Sequence, residues 1–464
     1  MTRISTDQLR PIIDDFADLI KNRRRDTARP TTAVIDFRND RQVRKERNVY
    51  EIPIGILRFR KDNGRIASDV LSYETNFRPL TEIQKEDQET LGKFLLEKDP
   101  QKTEELKNSL LQAGQLDPAI ITCDGFLING NRRKLALEML SKKYPGDERF
   151  LTMKVVILPG KGEEGGPPTL KEIEQIENRY QLMSDGKAEY YNFDRALTIR
   201  RKIETGMTLE EQLRDDPNCA NLSSKDFNKE MKRIADEYLG PLECVDNYLE
   251  NLGRSNLYYT VSKGKDDREG RWQAFIDYHN NVYKKLHDKK KLIEMGIRET
   301  EIGKIEDAAF KIIRKRDISG AGKVHMIMRQ LPKLLTNPEA KNAIMKISEI
   351  DSSLPPEECR DIEGKEYDLK DIDKFWGKKN EQQITGLIRK AQGIVEYSHI
   401  TDTPITLLEI ALNKLMDDKM DLQAIQVSDV QKVWVLIRNI RDRIQYIETK
   451  FYHLQKDISK VKKP

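Results

Sequence analysis

A predicted strand, hairpin turn and helix start follow one another closely and constrain the fold more than any other stretch. Residues 119–123 (AIITC) predict a buried strand, Asp124-Gly125 is a hairpin turn signal, and residues 126–128 predict the return strand. Asn129-Gly130-Asn131 predicts a tight turn, and residues 132–140 then predict a helix with leucines on one side. This order of elements requires a sheet with a helix packed on it.

The flanking sequence extends this unit into a small mixed α/β domain. Residues 49–54 and 153–158 predict two more strands, and residues 104–113 predict a helix that ends at Gly114. After a Gly- and Pro-rich connector at 161–168, nearly all of the chain has a helical pattern. The predicted fold class is therefore α+β, with a small mixed domain followed by a large all-helical region.

The glycine turn also predicts an anion site. A turn between a strand and a helix exposes the N–H groups of the first helical turn, and the helix dipole favours negative charge there. Arg132 and Arg133 follow Gly130 directly and carry forked donors that match phosphate oxygens. The alternative is an ordinary helix start whose arginines are merely solvated.

Four short motifs follow one another in this region. They are Ile52-Pro53 to Leu57 with Asn63-Gly64-Arg65, Gly114 to Ile121, Gly130 to Ala136, and Ile176 to Gln181. In the same order, they resemble the patterns I-P-x-x-x-L with its following loop, G-x-x-Q-P-I-x-V, G-E-R-R-x-x-A and E-N-x-Q-R of the ParB/sulfiredoxin superfamily.

The resemblance implies a nucleotide-binding domain that takes CTP or another NTP together with Mg²⁺. The residues that it places at the nucleotide are Arg65, Gly114, Asp117, Gly130, Asn131, Arg132, Arg133 and Asn178. It places Glu177 and Asn178 near the phosphates and the magnesium ion, and it gives Glu177 the catalytic role of orienting an attacking water. NTP hydrolysis is thus an open expectation.

The chain departs from the family pattern at three places. Asn131 replaces the glutamate of G-E-R-R, and Asp117 replaces the glutamine before the proline, so the choice of CTP and its turnover stay open. Residues 66–101 exceed the family's usual connector and are expected to form a lid or an insertion. Sulfiredoxin chemistry needs a cysteine in the turn, where this chain has Asn131, and Cys123 lies in a predicted buried strand.

The next segment resembles the helix-turn-helix that follows this domain in ParB proteins. Residues 190–203 predict a helix, Thr208 is a predicted N-cap, and residues 242–252 predict the second helix. That second helix carries Glu243, Asp246 and Glu250 and no basic residue, whereas DNA-reading helices normally present Arg, Lys, Asn or Gln. It either reads DNA or remains as a scaffold.

The last predicted helix has a coiled-coil pattern. Apolar residues repeat at alternating spacings of three and four from Val430 to Ile458. Arg443 and Glu448 occupy flanking positions where parallel helices can form ion pairs. The pattern predicts a homodimer through this helix, and the alternative is packing within one chain.

Composition limits the classes of function. Charged residues are 34% of the chain, yet 82 basic against 78 acidic residues give a net charge of only +4, so DNA binding must rest on local patches. The basic stretches at 21–25 and 38–47 are either solvated or nucleic-acid contacts. Four scattered cysteines and the absence of an apolar run of membrane-spanning length predict a cytoplasmic protein without disulfides, zinc ribbon or membrane contact.

The resemblance implies a ParB-like, nucleotide-binding, DNA-associated regulatory or switch protein of plasmid partition, mobile elements or antiphage defence. The alternatives are a superfamily enzyme (a metal-dependent nuclease or an NTP-dependent kinase) and an interaction protein with a vestigial pocket. The predicted domains are an N-terminal helix and arm (1–48), the nucleotide-binding domain (49–165), a helix-turn-helix-like domain (166–262), a helical domain (263–400) and a C-terminal coiled-coil segment (401–464).

Overall fold

The computed structural model describes residues 8–24, 31–182, 192–216, 219, 222–261, 270–318, 320, 322–360, 364–417 and 420–461. The chain divides into two compact units, Met1–Val395 and Glu396–Pro464. The first unit therefore includes the predicted nucleotide-binding domain and most of the helical region that follows it.

The first unit contains a mixed sheet of four strands, β1 (Thr31–Ala33), β2 (Arg47–Pro53), β3 (Ala119–Ile121) and β4 (Thr152–Ile157). Their order is β1-β2-β4-β3; β2 is antiparallel to β1 and β4, and β3 is parallel to β4. The predicted strands at 49–54, 119–123 and 153–158 are thus confirmed within a few residues. The predicted return strand at 126–128 was wrong in extent, because Phe126 and Leu127 form only isolated bridges.

Alternation along the strands gives the sheet two buried faces. Ala119 and Ile121 of β3 belong to the core on one face, and Ile120 between them belongs to the core on the other. In β4, Val155 and Val156 are divided between the two faces in the same way. The first face is covered by helices of the 66–143 region, and the second packs against Ile173 and Ile176 of a later helix.

The helices that accompany the sheet are α1 (Asp14–Arg24), α2 (Asp40–Val43), α3 (Ala67–Asn76), α4 (Lys85–Lys98), α5 (Pro100–Ala113), α6 (Asn131–Lys143) and α7 (Leu170–Leu182). The extra residues 66–101 are therefore mainly the two helices α3 and α4. Leu91 and Leu95 of α4 are buried in the same core as the sheet, so this segment is part of the domain interior. Its role as a lid stays a prediction.

A second, larger core is built mainly by helices. These helices are α8 (Asn192–Glu204), α9 (Leu209–Arg214), α10 (Ser224–Ile234), α11 (Gly240–Asn251), α12 (Gly270–Tyr278), α13 (Lys284–Leu286), α14 (Lys289–Glu294), α15 (Ile302–Lys315), α16 (Val324–Thr336), α17 (Pro338–Met345), α18 (Leu369–Lys379) and α19 (Glu381–Leu415). The short strands β5 (Asp317–Ile318) and β6 (Gly322–Lys323) form a hairpin, and the last helix is α20 (Val430–Val461).

The prediction of an α+β fold dominated by helices is confirmed. The Thr208 N-cap is also confirmed, since Thr208 and Glu211 form a complete capping box at the start of α9. The predicted helix at 190–203 begins outside the described residues and is seen from Asn192 onward. Among the helices of the described ranges, none has the length and apolar character needed to cross a membrane.

Candidate functional site

Gly130 fixes the point at which α6 leaves the sheet. Its φ of 80° and ψ of 11° lie in the left-handed region, which favours glycine. A Cβ atom at this position would lie 2.8 Å from the Cβ of Ala119 on β3 and 3.0 Å from the Cε of Met153 on β4. Both the backbone conformation and the close approach to the sheet therefore require a glycine here.

The first turn of α6 offers donors that no capping side chain uses. Gly130 has no side chain with which to cap the helix, and the first turn contains no acidic residue. Asn131 is only 8% exposed, and its buried Oδ1 has no hydrogen-bond partner among the described residues. A buried amide oxygen without a partner is unusual; it is an acceptor, so a hydroxyl or another donor of a ligand can complete its hydrogen bonding, whereas a phosphate oxygen cannot.

The two arginines that follow lie beside this turn. An Nη1 atom of Arg132 is 3.9 Å from Oδ2 of Asp99, the residue that caps α5. Arg133 donates from Nη1 to the backbone oxygen of Asp117 at 2.5 Å, so it links α6 to the loop before β3. Burial lowers the pKa of Arg133, against the opposing charge of Asp117. Both guanidinium groups thus lie at the positive end of the helix, which suits a phosphate.

Two other predicted residues lie in the loop between α5 and β3. Gly114 has a φ of 69° and ends α5, where its N–H donates to the oxygen of Leu110 at 3.0 Å. The side chain of Asp117 is exposed, and its backbone oxygen also accepts from Nε2 of Gln115. The structure therefore brings the Gly114–Asp117 loop and the first turn of α6 together through Arg133.

Glu177 lies on α7 and faces the loop at residues 60–65. It is 2% exposed, and its Oε1 accepts from the N–H of Gly64 at 3.2 Å. Its Oε2 is 3.7 Å from Nη1 of Arg60, which is itself 4% exposed. Burial disfavours the charge on Arg60, but Glu177 and Glu174 outweigh that effect and raise its pKa. Glu177 thereby holds the turn in which Arg65 follows Gly64.

Asn178 is engaged with the helices that follow. Its Nδ2 donates to the backbone oxygen of Gln212 at 3.1 Å, and its Oδ1 accepts from Nζ of Lys202 at 3.2 Å. Lys202 is 1% exposed, and burial lowers its pKa. Asn178 therefore connects α7 with α8 and α9.

These contacts do not fit Glu177 and Asn178 as direct ligands of magnesium. Mg²⁺ takes several oxygen ligands in near-octahedral geometry, and a positive neighbour opposes its binding. Here Arg60 lies beside the Glu177 carboxylate, and the ammonium group of Lys202 donates to the Asn178 oxygen. Within the described ranges, no three His, Cys, Asp or Glu side chains form a group that could hold a metal ion.

Phe59 links the first turns of α6 to the loop at residues 60–65. The Nζ atom of Lys134, one residue after Arg133, lies 3.9 Å from the ring centroid of Phe59. Phe59 precedes Arg60, which contacts Glu177. Sequence reasoning missed Arg60 and Lys202. The signal that could have indicated Arg60 is its position directly after Phe59, an apolar residue that is buried in the structure.

In comparisons with models of protein families, with curated proteins and with solved structures, no match to this chain was found.

Proposed function

We propose that the sheet domain is a ParB-like nucleotide-binding domain that takes the phosphates of CTP or another NTP at Gly130–Arg133. The observation that carries this proposal is the start of α6, where an uncapped helix turn and two arginines occur together. The order of the four family motifs supports the same function. The protein would then act as a nucleotide-controlled switch.

Each group at the turn has a distinct task in this proposal. The N–H groups of the first turn and the two guanidinium groups bind phosphate oxygens, and Gly130 lets the phosphates approach the backbone. The Asn131 amide offers a donor or an acceptor without adding charge. Magnesium accompanies the nucleotide on its own phosphates, and Glu177 serves as a positioning residue for the Gly64 turn.

The first test is a titration of the full chain with CTP, ATP, GTP and UTP, each with and without magnesium. We expect saturable binding of at least one nucleotide, and we expect Arg132→Ala to weaken it at least about tenfold, because a charge-assisted hydrogen bond contributes about 1.5–3 kcal/mol. Isothermal titration calorimetry measures both affinities, and phosphate release in the same samples measures hydrolysis.

Arg149→Ala is the matched control, since Arg149 is an exposed arginine of the same domain that pairs with Asp147. This variant is expected to bind nucleotide as the unchanged protein does. Equal affinity in the Arg132→Ala variant, or no binding of any of the four nucleotides, would contradict the proposal.

Association with DNA is proposed on the resemblance alone, and α11 does not support it. Leu242, Val245 and Leu249 of this helix are buried in the helical core. Asp246 pairs with Arg200, and Glu243 accepts from the Tyr283 hydroxyl at 3.3 Å. A helix that is half buried and acidic on its exposed side is poorly suited to a DNA groove.

The basic stretches at 21–25 and 38–47 are partly neutralised by carboxylates of this chain. Three of their arginines are paired with carboxylates: Arg24 with Glu163, Arg38 with Glu172, and Arg47 with Asp40. Arg25, the end of the first basic run, lies outside the described residues. We therefore place the proposed function in nucleotide binding, with DNA contact as a secondary expectation.

We also propose that α20 mediates a homodimer. Large apolar side chains at its seam positions are 39–58% exposed. They are Val430, Ile437, Ile440, Ile444, Phe451 and Leu454. The repeat spacing and this exposure together favour a second copy of the helix as the covering surface.

Ile440→Lys combined with Ile444→Lys is expected to convert a dimer into a monomer, because two charges in a coiled-coil seam would lack partners. Light scattering coupled to size-exclusion chromatography measures the mass. Asn439→Lys with Gln445→Lys adds the same charge beside the seam and should leave the dimer intact. A monomeric parent protein, or equal masses for both double variants, would refute dimerisation through α20.

A further inference from the structure

Three buried arginines surround one buried aspartate in the helical core. Asp373 on α18 lies 2.9 Å from Nη1 of Arg254 and 2.8 Å from Nε of Arg314, both measured to its Oδ1. Its Oδ2 lies 3.5 Å from Nη2 of Arg271 on α12. Arg254 follows α11, and Arg314 is on α15, so four separate elements meet at this carboxylate.

Among the residues that the structure describes, the charges in this cluster do not balance. Arg254, Arg271 and Arg314 are 9%, 3% and 2% exposed, and Asp373 is 2% exposed. Arginine stays charged in proteins, so one carboxylate faces three positive groups and leaves an excess of two positive charges. Buried charge of this kind is costly unless a counter-charge compensates it.

Neutral acceptors satisfy only part of the donor capacity. Arg271 donates from Nη1 to the backbone oxygen of Thr260 at 2.5 Å, and Arg314 donates from Nη1 to that of Ser352 at 2.6 Å. Backbone oxygens supply hydrogen bonds but no net charge. Within the described ranges, which omit residues 262–269, the excess positive charge therefore persists after these bonds are counted.

Two further donors in the cluster lack acceptors. In the part of the chain that the structure describes, neither the hydroxyl of Tyr248 nor Nε of Arg271 has a hydrogen-bond partner, and both atoms are buried. Tyr248 is 1% exposed. Burial raises the pKa of Tyr248; Arg271 acts to lower it, Asp373 to raise it, and Arg314 and Arg254 to lower it, so the hydroxyl lies within the field of this cluster. Unsatisfied buried donors next to excess positive charge point to an anion.

We propose that the Tyr248–Arg254–Arg271–Arg314 cluster is a binding site for a small tetrahedral dianion of the inorganic phosphate class. A dianion balances the two excess charges and accepts from the Tyr248 hydroxyl and from guanidinium groups at once. The depth of the cluster favours a small ion over a phosphate carried on a bulky group. None of these residues belongs to the start of α6, so the site is distinct from the proposed nucleotide site.

Isothermal titration of inorganic phosphate into the full-length Arg132→Ala protein tests the proposal, because that background weakens the proposed phosphate site at the start of α6 by removing one of its two arginines. Ionic strength is held constant with chloride, and sulfate and cytidine monophosphate are titrated in parallel. We expect saturable binding of phosphate and sulfate. A phosphate carried on a nucleoside is expected to bind far more weakly.

Tyr248→Phe, made in the same background, separates an anion site from ordinary packing. Removing a buried hydroxyl that has no partner should not impair folding. If the hydroxyl donates to the anion, phosphate affinity falls about tenfold or more. Tyr238→Phe is the matched control, because the Tyr238 hydroxyl donates to Oδ1 of Asn192 at 3.1 Å; its phosphate affinity should stay unchanged. No saturable phosphate binding, or equal affinity in the Tyr248→Phe variant, overturns the proposal.

Discussion

Asp373→Asn is expected to destabilise the protein by about 3–5 kcal/mol, the usual cost of removing one partner from a buried ion pair. The substitution preserves the shape of the side chain but removes the negative charge that faces Arg254, Arg271 and Arg314. Those guanidinium groups are buried and cannot turn to water without opening the core. Urea unfolding in phosphate-free buffer, followed by circular dichroism, measures the loss.

The control lies on the same helix. Asp371 is a residue of α18 whose side chain is 45% exposed and pairs with Lys374, and Asp371→Asn is expected to cost less than about 1 kcal/mol. Equal losses in the two variants would show that Asp373 does not compensate buried charge.

The effect of Asp373 should also depend on pH. Burial opposes ionisation of Asp373, but Arg271, Arg254 and Arg314 outweigh it and lower its pKa below the ordinary value of 3.8. A carboxylate with a depressed folded-state pKa stabilises the protein above its unfolded-state pKa and loses this contribution as the pH falls through the folded-state pKa. The difference between the unchanged protein and Asp373→Asn should therefore shrink below about pH 4.

Local sequence patterns predicted the elements of the sheet domain but not all of their pairing. The alternation of buried residues in β3 and β4 and the turn at Gly130 depend on neighbouring residues, so they could be predicted. The extent of the return segment after Gly125 could not be predicted. The backbone N–H of Leu127 donates to the oxygen of Arg58, and the N–H of Arg58 donates to the oxygen of Gly125. The chain there pairs with a segment far away in sequence, which limits its pairing with β3.

The same limit applies to the polar clusters. Arg254 and Asp373 are 119 positions apart, and Gly64 and Glu177 are 113 apart, so no periodicity connects either pair. At the candidate site, sequence reasoning identified Glu177 but not the buried Arg60 beside it. The residue types were readable from the sequence, whereas the charge partners that determine their roles are set by the tertiary fold.

Gly130→Ala is expected to cost about 2–5 kcal/mol, because it adds two separate penalties. An alanine at a φ of 80° has left-handed backbone strain of about 1–2 kcal/mol. The added Cβ would also lie 2.8 Å from the Cβ of Ala119. That atom is fixed to β3, which pairs with β4 in the sheet, so relieving the overlap requires a shift of α6 or of the strand and costs about 1–3 kcal/mol more.

Gly296→Ala separates the two penalties. Gly296 has a φ of 62°, but a Cβ there would meet nothing within 4 Å, so only the strain of about 1–2 kcal/mol applies. Urea unfolding of both variants gives the difference, which measures how closely the start of α6 is held against the sheet. If Gly130→Ala loses no more unfolding free energy than Gly296→Ala, then β3 or α6 shifts at little cost, and the turn is not rigid enough to position a phosphate. A larger loss at Gly130, accompanied by weaker nucleotide binding, would tie the rigidity of this turn to its proposed function.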